Sequence, residues 1–215
     1  MRKLLVVALA GTLAFVLLSA RARTASAQTG GSFGLGPIRI PGRQAGPEGS
    51  DALDADWNVV SPEYFETIGM RLREGRGFAP TDRPDTPMVA VVNETFARMA
   101  WPGRPAVGQR FMHEMRENTE RPIEVVGVVA DAKYRYISDP PAPFVFVPLA
   151  QQPMTDITLF VRHAEGRAVA GEIRAAVAQV ESSVPVMFLQ SFEDAAAIGL
   201  VPQRVAAWIA GGVGT

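Results

Sequence analysis

The sequence predicts an α+β fold in which strands come in pairs and short helices lie between them. Several short segments either alternate apolar and polar residues or are apolar throughout, as half-buried and buried strands do. Other segments place apolar residues at helical spacing behind a capping residue. Of the 215 residues, 47% are hydrophobic and 20% charged, which favours a folded chain over a disordered one.

The first segment has the layout of a secretory signal or a membrane anchor. Arg2 and Lys3 precede an uncharged run at 4–20, and an Ala-Ser-Ala triplet at 25–27 supplies a cleavage site. The run is at the short end of the roughly 17–25 residues that span a bilayer. Residues 1–27 are therefore predicted to be a signal peptide or a helical membrane anchor, with the rest of the chain outside the cytoplasm.

The next segment, 28–56, is rich in glycine, proline and serine, a composition too poor in apolar residues to hold one structure by itself. Only the Ile-Arg-Ile triplet at 38–40 is predicted to add a short edge strand. We interpret this segment as a linker or as an incomplete start of the domain, and we place the domain proper at residues 57–198.

Two helices with flanking strands are predicted in the first half of that domain. After a strand at 58–60, Ser61 is expected to cap a helix that Gly69 ends. The apolar run at 88–92 predicts another strand. Asn93 is expected to cap the helix that follows it.

The second half predicts longer strands. Residues 109–114 and 122–130 are typical of a β-hairpin whose second strand is apolar enough to be central in a sheet. A further strand is predicted at 144–149. A β-α-β unit follows within 155–190, and its helix is predicted over 169–180.

The last segment, 199–215, is predicted to start a membrane helix. A capping box of Ser191 and Asp194 predicts a short helix before it. No charge follows Arg204, and about ten apolar residues are half of the roughly 20 that span a bilayer. We therefore expect a truncated transmembrane helix here.

Several kinds of chemistry are excluded by residue type. The chain has no cysteine, so disulfides, thiol catalysis and cysteine-ligated metals are absent. Its two lysines, Lys3 and Lys133, do not belong to a P-loop. The formal net charge of −1 gives no indication of a nucleic-acid partner. We expect no cofactor and no metal.

Two motif-like patterns lack the context that their chemistry needs. Ser32 lies in a G-x-S-x-G match, but the strand and helix of a nucleophile elbow do not flank it, so a flexible loop is favoured. His113 and Glu114 begin an H-E-x-x-H zinc motif, but position 117 is Glu. A histidine on the solvated face of an edge strand is the favoured interpretation.

Three further patterns are also weak. The Gly-Leu-Gly at 34–36 lacks the third glycine of a dinucleotide site. Asp82 and Asp85 lie in a polar loop, where a loosely held calcium is one interpretation and a solvated loop is the favoured one. A last set is either a recognition patch or an exposed strand end, which we favour: Asp131, Lys133, Tyr134 and Tyr136. We therefore assign no catalytic, cofactor-binding or metal residue, and any substrate-binding residue is unknown.

A set of motifs occurs in order over residues 57–198: V-S-P-x-Y-F-x-x-x-G, G-R-x-F, V-V-N-E-x-F-A, W-P-G and V-V-G-V-V-x-D. Together they resemble the MacB-like periplasmic core domain of FtsX-like ABC-transporter permeases, closest to the duplicated orphan type frequent in Acidobacteria. The resemblance implies a βαβ porter-like lobe, completed by residues 155–190. It also implies a mixed α/β lobe, mostly residues 57–150, inserted into the first.

The same resemblance implies a non-catalytic extracytoplasmic domain, at the inner membrane and facing the periplasm, that serves transport, efflux or mechanical coupling. Implied partners are the membrane, a cytoplasmic ATP-binding subunit and a second half in a homo- or pseudo-dimer. The family's first strand and long helix are expected to be missing, so a permease truncated at both ends is our hypothesis. The alternatives are a free periplasmic binding or adaptor protein, a non-functional fragment, and an exported hydrolase that would rest on Ser32 alone.

Overall fold

The computed structural model describes residues 2–10, 23–27, 33–42, 52–114, 120–132, 140–154, 156–164, 169–182 and 186–191. Within these ranges, eleven strands join in one hydrogen-bonded sheet that three helices accompany. In chain order the elements are β1 (Arg2–Ala10), β2 (Arg23–Ala27), β3 (Phe33–Arg39), β4 (Ala52–Val60), α1 (Tyr64–Ile68), β5 (Leu72–Gly75), β6 (Val89–Asn93), α2 (Glu94–Ala100), β7 (Arg110–Glu114), β8 (Glu120–Val129), β9 (Phe144–Pro148), β10 (Asp156–Ala164), α3 (Ala170–Val180) and β11 (Val186–Ser191).

One lobe, which we call the sheet lobe, consists of β1, β2, β10, α3 and β11. Its strands lie in the order β11-β1-β10-β2, and each is antiparallel to its neighbours. Because β10 and β11 are both antiparallel to β1, they run parallel to each other with β1 between them, a split β-α-β arrangement. Ile173 and Val177 of α3 pack with Val161 of β10, which forms a small core of this lobe. The predicted β-α-β unit is confirmed.

The other lobe, which we call the barrel lobe, consists of the strands β3 to β9, the helix α2 and their connecting loops; α1 lies in the same stretch of chain but packs outside the barrel. Six of its strands form a closed ring in the order β4-β3-β7-β8-β6-β9, since β9 pairs again with β4. β5 lies outside the ring and pairs with β8. Closure leaves few free strand edges, which limits edge-to-edge association. All of these strands fall between β2 and β10, so the barrel lobe is inserted into the sheet lobe, as expected.

The barrel interior is filled by alternate residues of its strands and by α2. Ala90 and Val92 of β6 belong to this core, whereas Val89 and Val91 belong to a second core on the outer face. Inside, the ring of Phe96 lies 5.5 Å from Phe111 and 6.0 Å from Trp101, measured between ring centroids. Burying one such side chain contributes about 1.5–3 kcal/mol.

The second core lies between the barrel's outer face, α1 and β10. It contains a continuous cluster of aromatic rings, which we call the aromatic bridge: Tyr64, Phe65, Phe78, Phe144, Phe146 and Phe160. The rings come from α1, from β9 and the loop after β5 in the barrel lobe, and from β10 in the sheet lobe. This core therefore contacts both lobes.

Most of the local predictions are confirmed, with one correction at a helix start. Gly69 ends α1 with a φ of 79°, a left-handed conformation that suits glycine. Asn93 caps α2, and its side chain accepts a hydrogen bond from the backbone N–H of Phe96. Ser61 does not cap α1: the helix begins after Glu63, and the Ser61 carbonyl accepts a turn bond from the N–H of Tyr64.

The largest correction concerns the first residues. The sequence predicts the start of an apolar helix, but residues 2–10 form β1, between β10 and β11. The family's first strand was expected to be missing, and a central strand is present here. A strand with a neighbour on each edge is often apolar throughout, and that run has the same composition as a signal or anchor helix. Residues 11–20 lie outside the described ranges.

The segment interpreted as a linker also contains strands. Residues 33–39 form β3 and residues 52–60 form β4, so ordered pairing begins well before residue 57. Ile38 and Leu53 lie in the barrel core. Gly34, Gly36 and Pro37 lie within β3 of a closed barrel, whose other strands supply the burial that the segment lacks by itself.

The predicted C-terminal apolar segment and the capping box of Ser191 with Asp194 extend beyond the described residues, which end at residue 191 of β11. Among the described helices, none is both long enough and apolar enough to cross a membrane.

Candidate functional site

The two valine-rich motifs meet at one polar cluster beside the barrel. Asn93 ends β6, and Asp131 follows β8, the strand parallel to β6. Parallel strands end at the same edge of a sheet, which brings these two residues together. The Asn93 side-chain Nδ2 donates to Asp131 Oδ1 at 2.7 Å and to the carbonyl of Ala142 at 2.8 Å.

Asn93 is completely buried and joins three chain segments. Its Oδ1 accepts hydrogen bonds of 2.9 Å from the N–H groups of Phe96 in α2 and Phe144 in β9. All the hydrogen-bonding capacity that an asparagine amide normally uses is therefore engaged with the protein. Through these hydrogen bonds Asn93 links β6, α2 and β9.

Asp131 supports the same helix start from the other side. Its Oδ1 accepts a 2.9 Å bond from the N–H of Thr95, and its Oδ2 accepts a 2.8 Å bond from the Thr95 hydroxyl. The Asp131 N–H in turn donates to Glu94 Oε2 at 3.2 Å. A carboxylate at the first turn also suits the helix dipole. We conclude that Asp131 is a structural residue, which differs from the exposed strand end that the sequence favoured.

Two arginines flank this cluster. Arg98 Nη2 donates to the Thr95 hydroxyl at 2.8 Å and lies 3.9 Å from Asp131 Oδ2. Arg73 of β5 pairs with Glu94 at 3.2 Å. Both arginines are largely exposed, so each pair contributes little to stability.

A second polar feature joins the G-R-x-F motif to the loop after it. Arg76 donates from Nη1 and Nη2 to the two carboxylate oxygens of Asp82, at 2.8 and 2.9 Å. The N–H of Ala79 donates to Asp82 Oδ2 as well, at 2.8 Å. Burial alone would raise the pKa of Asp82, but the hydrogen bonds from Arg76 and Ala79 outweigh it and hold that pKa below its usual range.

This geometry corrects the interpretation of Asp82 as part of a solvated loop. The Asp82 side chain is only 6% exposed, and protein donors already engage both of its oxygens. Asp85 is 70% exposed and pairs with neighbouring Arg83. The two carboxylates therefore do not share a site. No metal-binding group of three or more such side chains occurs among the residues that the structure describes.

The loop between β5 and β6 is also held by the segment that follows β9, the strand next to β6. Gln151 follows β9, and its Oε1 accepts a 3.1 Å bond from the N–H of Val89. Its Nε2 lies within hydrogen-bond distance of the carbonyls of Arg83 and Pro87, at 3.1 and 3.0 Å. A polar, proline-rich loop is thus fixed by a residue more than sixty positions away in the chain.

Two glycines allow β5 to approach β8 closely. A Cβ on Gly75 would lie 2.2 Å from the carbonyl oxygen of Val126, and a Cβ on Gly127 would lie 2.1 Å from that of Arg76. Any side chain at either position would push the two strands apart. The glycines of G-R-x-F and V-V-G-V-V-x-D are therefore partners in one close contact, which brings the backbone of Arg76 against Gly127.

The other sequence candidates are not brought together. His113 is buried in β7, and because β7 lies between β3 and β8, it is not on a solvated edge as expected. Gly34 and Gly36 lie within β3. The remaining candidates lie outside the described residues: Ser32, Glu117, Lys133, Tyr134 and Tyr136.

The comparison with known families follows this architecture. The family model of the MacB-like periplasmic core domain matches residues 16–186. The chain belongs to that family. The match includes the barrel lobe and, in the sheet lobe, β2, β10 and α3.

Two solved structures share this fold at low sequence identity. The periplasmic region of MacB from Actinobacillus actinomycetemcomitans has a TM-score of 0.57 and 12% identity, over 94% of this chain and 92% of its own. A domain of a Porphyromonas gingivalis protein described as a permease has a TM-score of 0.53 and 14% identity, over 88% and 89% of the two chains. No curated protein is significantly similar in sequence.

In this MacB-like domain, the residues that sequence reasoning missed are pairs rather than single positions. Asn93 was predicted as a cap, but its bond to Asp131, 38 residues away, was not. Arg76 and Asp82 are six residues apart, and no local rule distinguishes this pair, in which only the carboxylate is buried, from a solvated loop. The signal that could have found the first pair is that each valine-rich run ends on a short polar side chain, as neighbouring parallel strands at a shared sheet edge do.

Proposed function

We propose that this chain is the non-catalytic, extracytoplasmic part of an ABC-type, FtsX-like permease at the inner membrane, with its main domain in the periplasm. Its role in that complex is transmembrane transport or efflux, or mechanical coupling to a cytoplasmic ATPase. The observation that carries the proposal is the family match over residues 16–186, on a fold in which the barrel lobe is inserted into the sheet lobe.

The use of the motif residues supports a structural rather than a chemical role. Asn93, Asp131 and Arg76 are polar residues of the family-like motifs, and Asp82 follows the G-R-x-F motif. Each of the four is engaged in bonds that join strands, a helix and loops. An enzyme would leave a nucleophile, base or ligand directed at a substrate. These four residues instead hold the barrel lobe in one shape.

The proposed partners follow from the same role. They are the membrane, a cytoplasmic ATP-binding subunit, and a second permease half in a homo- or pseudo-dimer. A nucleic acid is not among them, since the chain has 21 basic and 22 acidic residues and therefore no excess of positive charge.

The test is to isolate the full protein from its own cells through a tag inserted after Gly103. This turn is exposed, and a Cβ at Gly103 would meet nothing within 4 Å, so the insertion leaves the core intact. We expect the tagged protein in the membrane fraction together with an ATP-binding subunit. A matched control carries the same tag on an unrelated periplasmic protein. Recovery from the soluble periplasm alone, with no ATP-binding subunit, would favour a free binding or adaptor protein instead.

A further inference from the structure

The helix α1 lies between the two lobes and contacts both. The ring of Tyr64 is 5.9 Å from that of Phe146 in the barrel lobe and 5.8 Å from that of Phe160 in the sheet lobe. The neighbouring Phe65 lies 5.1 Å from Phe146 with the two rings nearly perpendicular. One turn of helix therefore connects the outer face of the barrel to β10 through ring contacts.

A hydrogen bond fixes the end of the same helix to the sheet lobe. Arg162 lies two residues after Phe160 on β10, so both side chains are on the same face of that strand. Its Nε donates to the carbonyl of Thr67 in α1 at 2.8 Å. A cation at a helix C-terminus satisfies a carbonyl that has no partner within the helix. A Cβ on Gly69 would lie 3.3 Å from Arg162 Nη2, so the guanidinium sits closely against the end of α1.

The position of α1 depends on these contacts. It has only five residues, far fewer than an isolated helix needs in water. The pairing of β2 with β4, which also joins the lobes, is a single residue pair, Ala27 with Val60. Packed aromatic rings compress little, so they transmit a displacement instead of absorbing it.

We propose that α1 is the coupling element between the lobes: Tyr64 packs it against both, and Arg162 holds its end on β10, so that the barrel lobe follows the sheet lobe. This inference rests on the proposed function only for its purpose, since a permease domain that transmits motion needs its lobes to move together. The coupling itself is a property of the isolated chain.

The experiment measures the distance between the lobes by electron–electron resonance of two spin labels. The chain contains no cysteine, so Arg104→Cys in the barrel lobe and Ala175→Cys on α3 provide the only thiols, both at exposed positions. The doubly labelled full chain is compared with three versions that also carry Arg162→Ala, Phe160→Leu or Arg98→Ala. The last is a matched control, because Arg98 bonds only within the barrel lobe in the contacts described above.

We expect one narrow distance distribution for the parent and for Arg98→Ala. Arg162→Ala and Phe160→Leu should each widen it about twofold, as release of a hinge does. Circular dichroism establishes that each variant is folded. Phe160→Leu keeps the site filled and apolar, so it decides the question if Arg162→Ala does not fold.

Unchanged distributions in the folded variants would overturn the coupling proposal and leave the proposed function standing. Failure to isolate an ATP-binding subunit with the tagged protein would remove the proposed function, and a widened distribution would still establish the coupling.

Discussion

Replacing Asn93 with alanine should be among the most destabilising single changes in the barrel lobe. Loss of the cap on α2 costs about 1 kcal/mol. The N–H of Phe144 loses its acceptor inside the core, where an unsatisfied donor costs about 1–3 kcal/mol. Asp131 and the Ala142 carbonyl are less buried, so water replaces part of what they lose. We therefore expect Asn93→Ala to lower the free energy of unfolding by about 3 kcal/mol.

The assay is urea unfolding followed by tryptophan fluorescence, since Trp101 packs against Phe96 in the same core. The midpoint should fall while the slope of free energy against urea stays constant. Asn93→Asp separates the two halves of the amide: it keeps the acceptor for Phe96 and Phe144 but loses the donor and places a second carboxylate beside Asp131. At pH 7 the loss of stability in Asn93→Asp should be similar to that in Asn93→Ala or larger. It should diminish on acidification, because protonation removes the charge repulsion.

Gln179→Ala, on the exposed face of α3, is the control and should change stability by less than about 0.5 kcal/mol. If Asn93→Ala lowered the free energy of unfolding as little as this control does, the four hydrogen bonds of Asn93 would not be what links β6, α2 and β9.

Two further predictions test the contact between β5 and β8 and the charge pair of Arg76 with Asp82. Gly127→Ala should lower the free energy of unfolding by about 2–4 kcal/mol, because its Cβ would meet the Arg76 carbonyl at 2.1 Å. Its control, Gly171→Ala, has nothing within 4 Å of the new Cβ and should be neutral or stabilise α3 by up to about 1 kcal/mol. Equal effects of the two changes in thermal unfolding would contradict the close approach. Because the pKa of Asp82 is lower in the folded state, its contribution is fully present above the unfolded pKa of about 3.9 and is lost as pH falls through the folded pKa. Asp82→Asn should therefore lower stability by about 1–2 kcal/mol at pH 7, and the gap to the parent should narrow below about pH 4; a gap independent of pH would show that the Arg76–Asp82 charge pair contributes nothing.

The parts of the fold that the sequence could predict are those set by neighbours in the chain. Asn93 before an apolar helix, Gly69 after one, and the β7–β8 hairpin each depend on local geometry, and each is present. The same holds for the unit of β10, α3 and β11. In these places propensity, capping and periodicity all favour the same structure.

The parts that could not be predicted depend on distant pairing. β1 is as apolar as a signal sequence, and only its position between β10 and β11 makes it a central strand. β3 contains glycine and proline and is stable as part of a closed barrel. The sequence around Asp82 is that of a solvated loop, and only the folded structure shows that Arg76 and Ala79 hydrogen-bond its carboxylate.

The central claim is that this MacB-like domain works outside the cytoplasm, and a fusion to alkaline phosphatase after Ser191 tests it most directly. The enzyme needs disulfides, which form only in an oxidising compartment such as the periplasm. We expect this fusion to be active, and a fusion of green fluorescent protein at the same position to be non-fluorescent. An inactive phosphatase fusion, together with a fluorescent counterpart, would contradict the account.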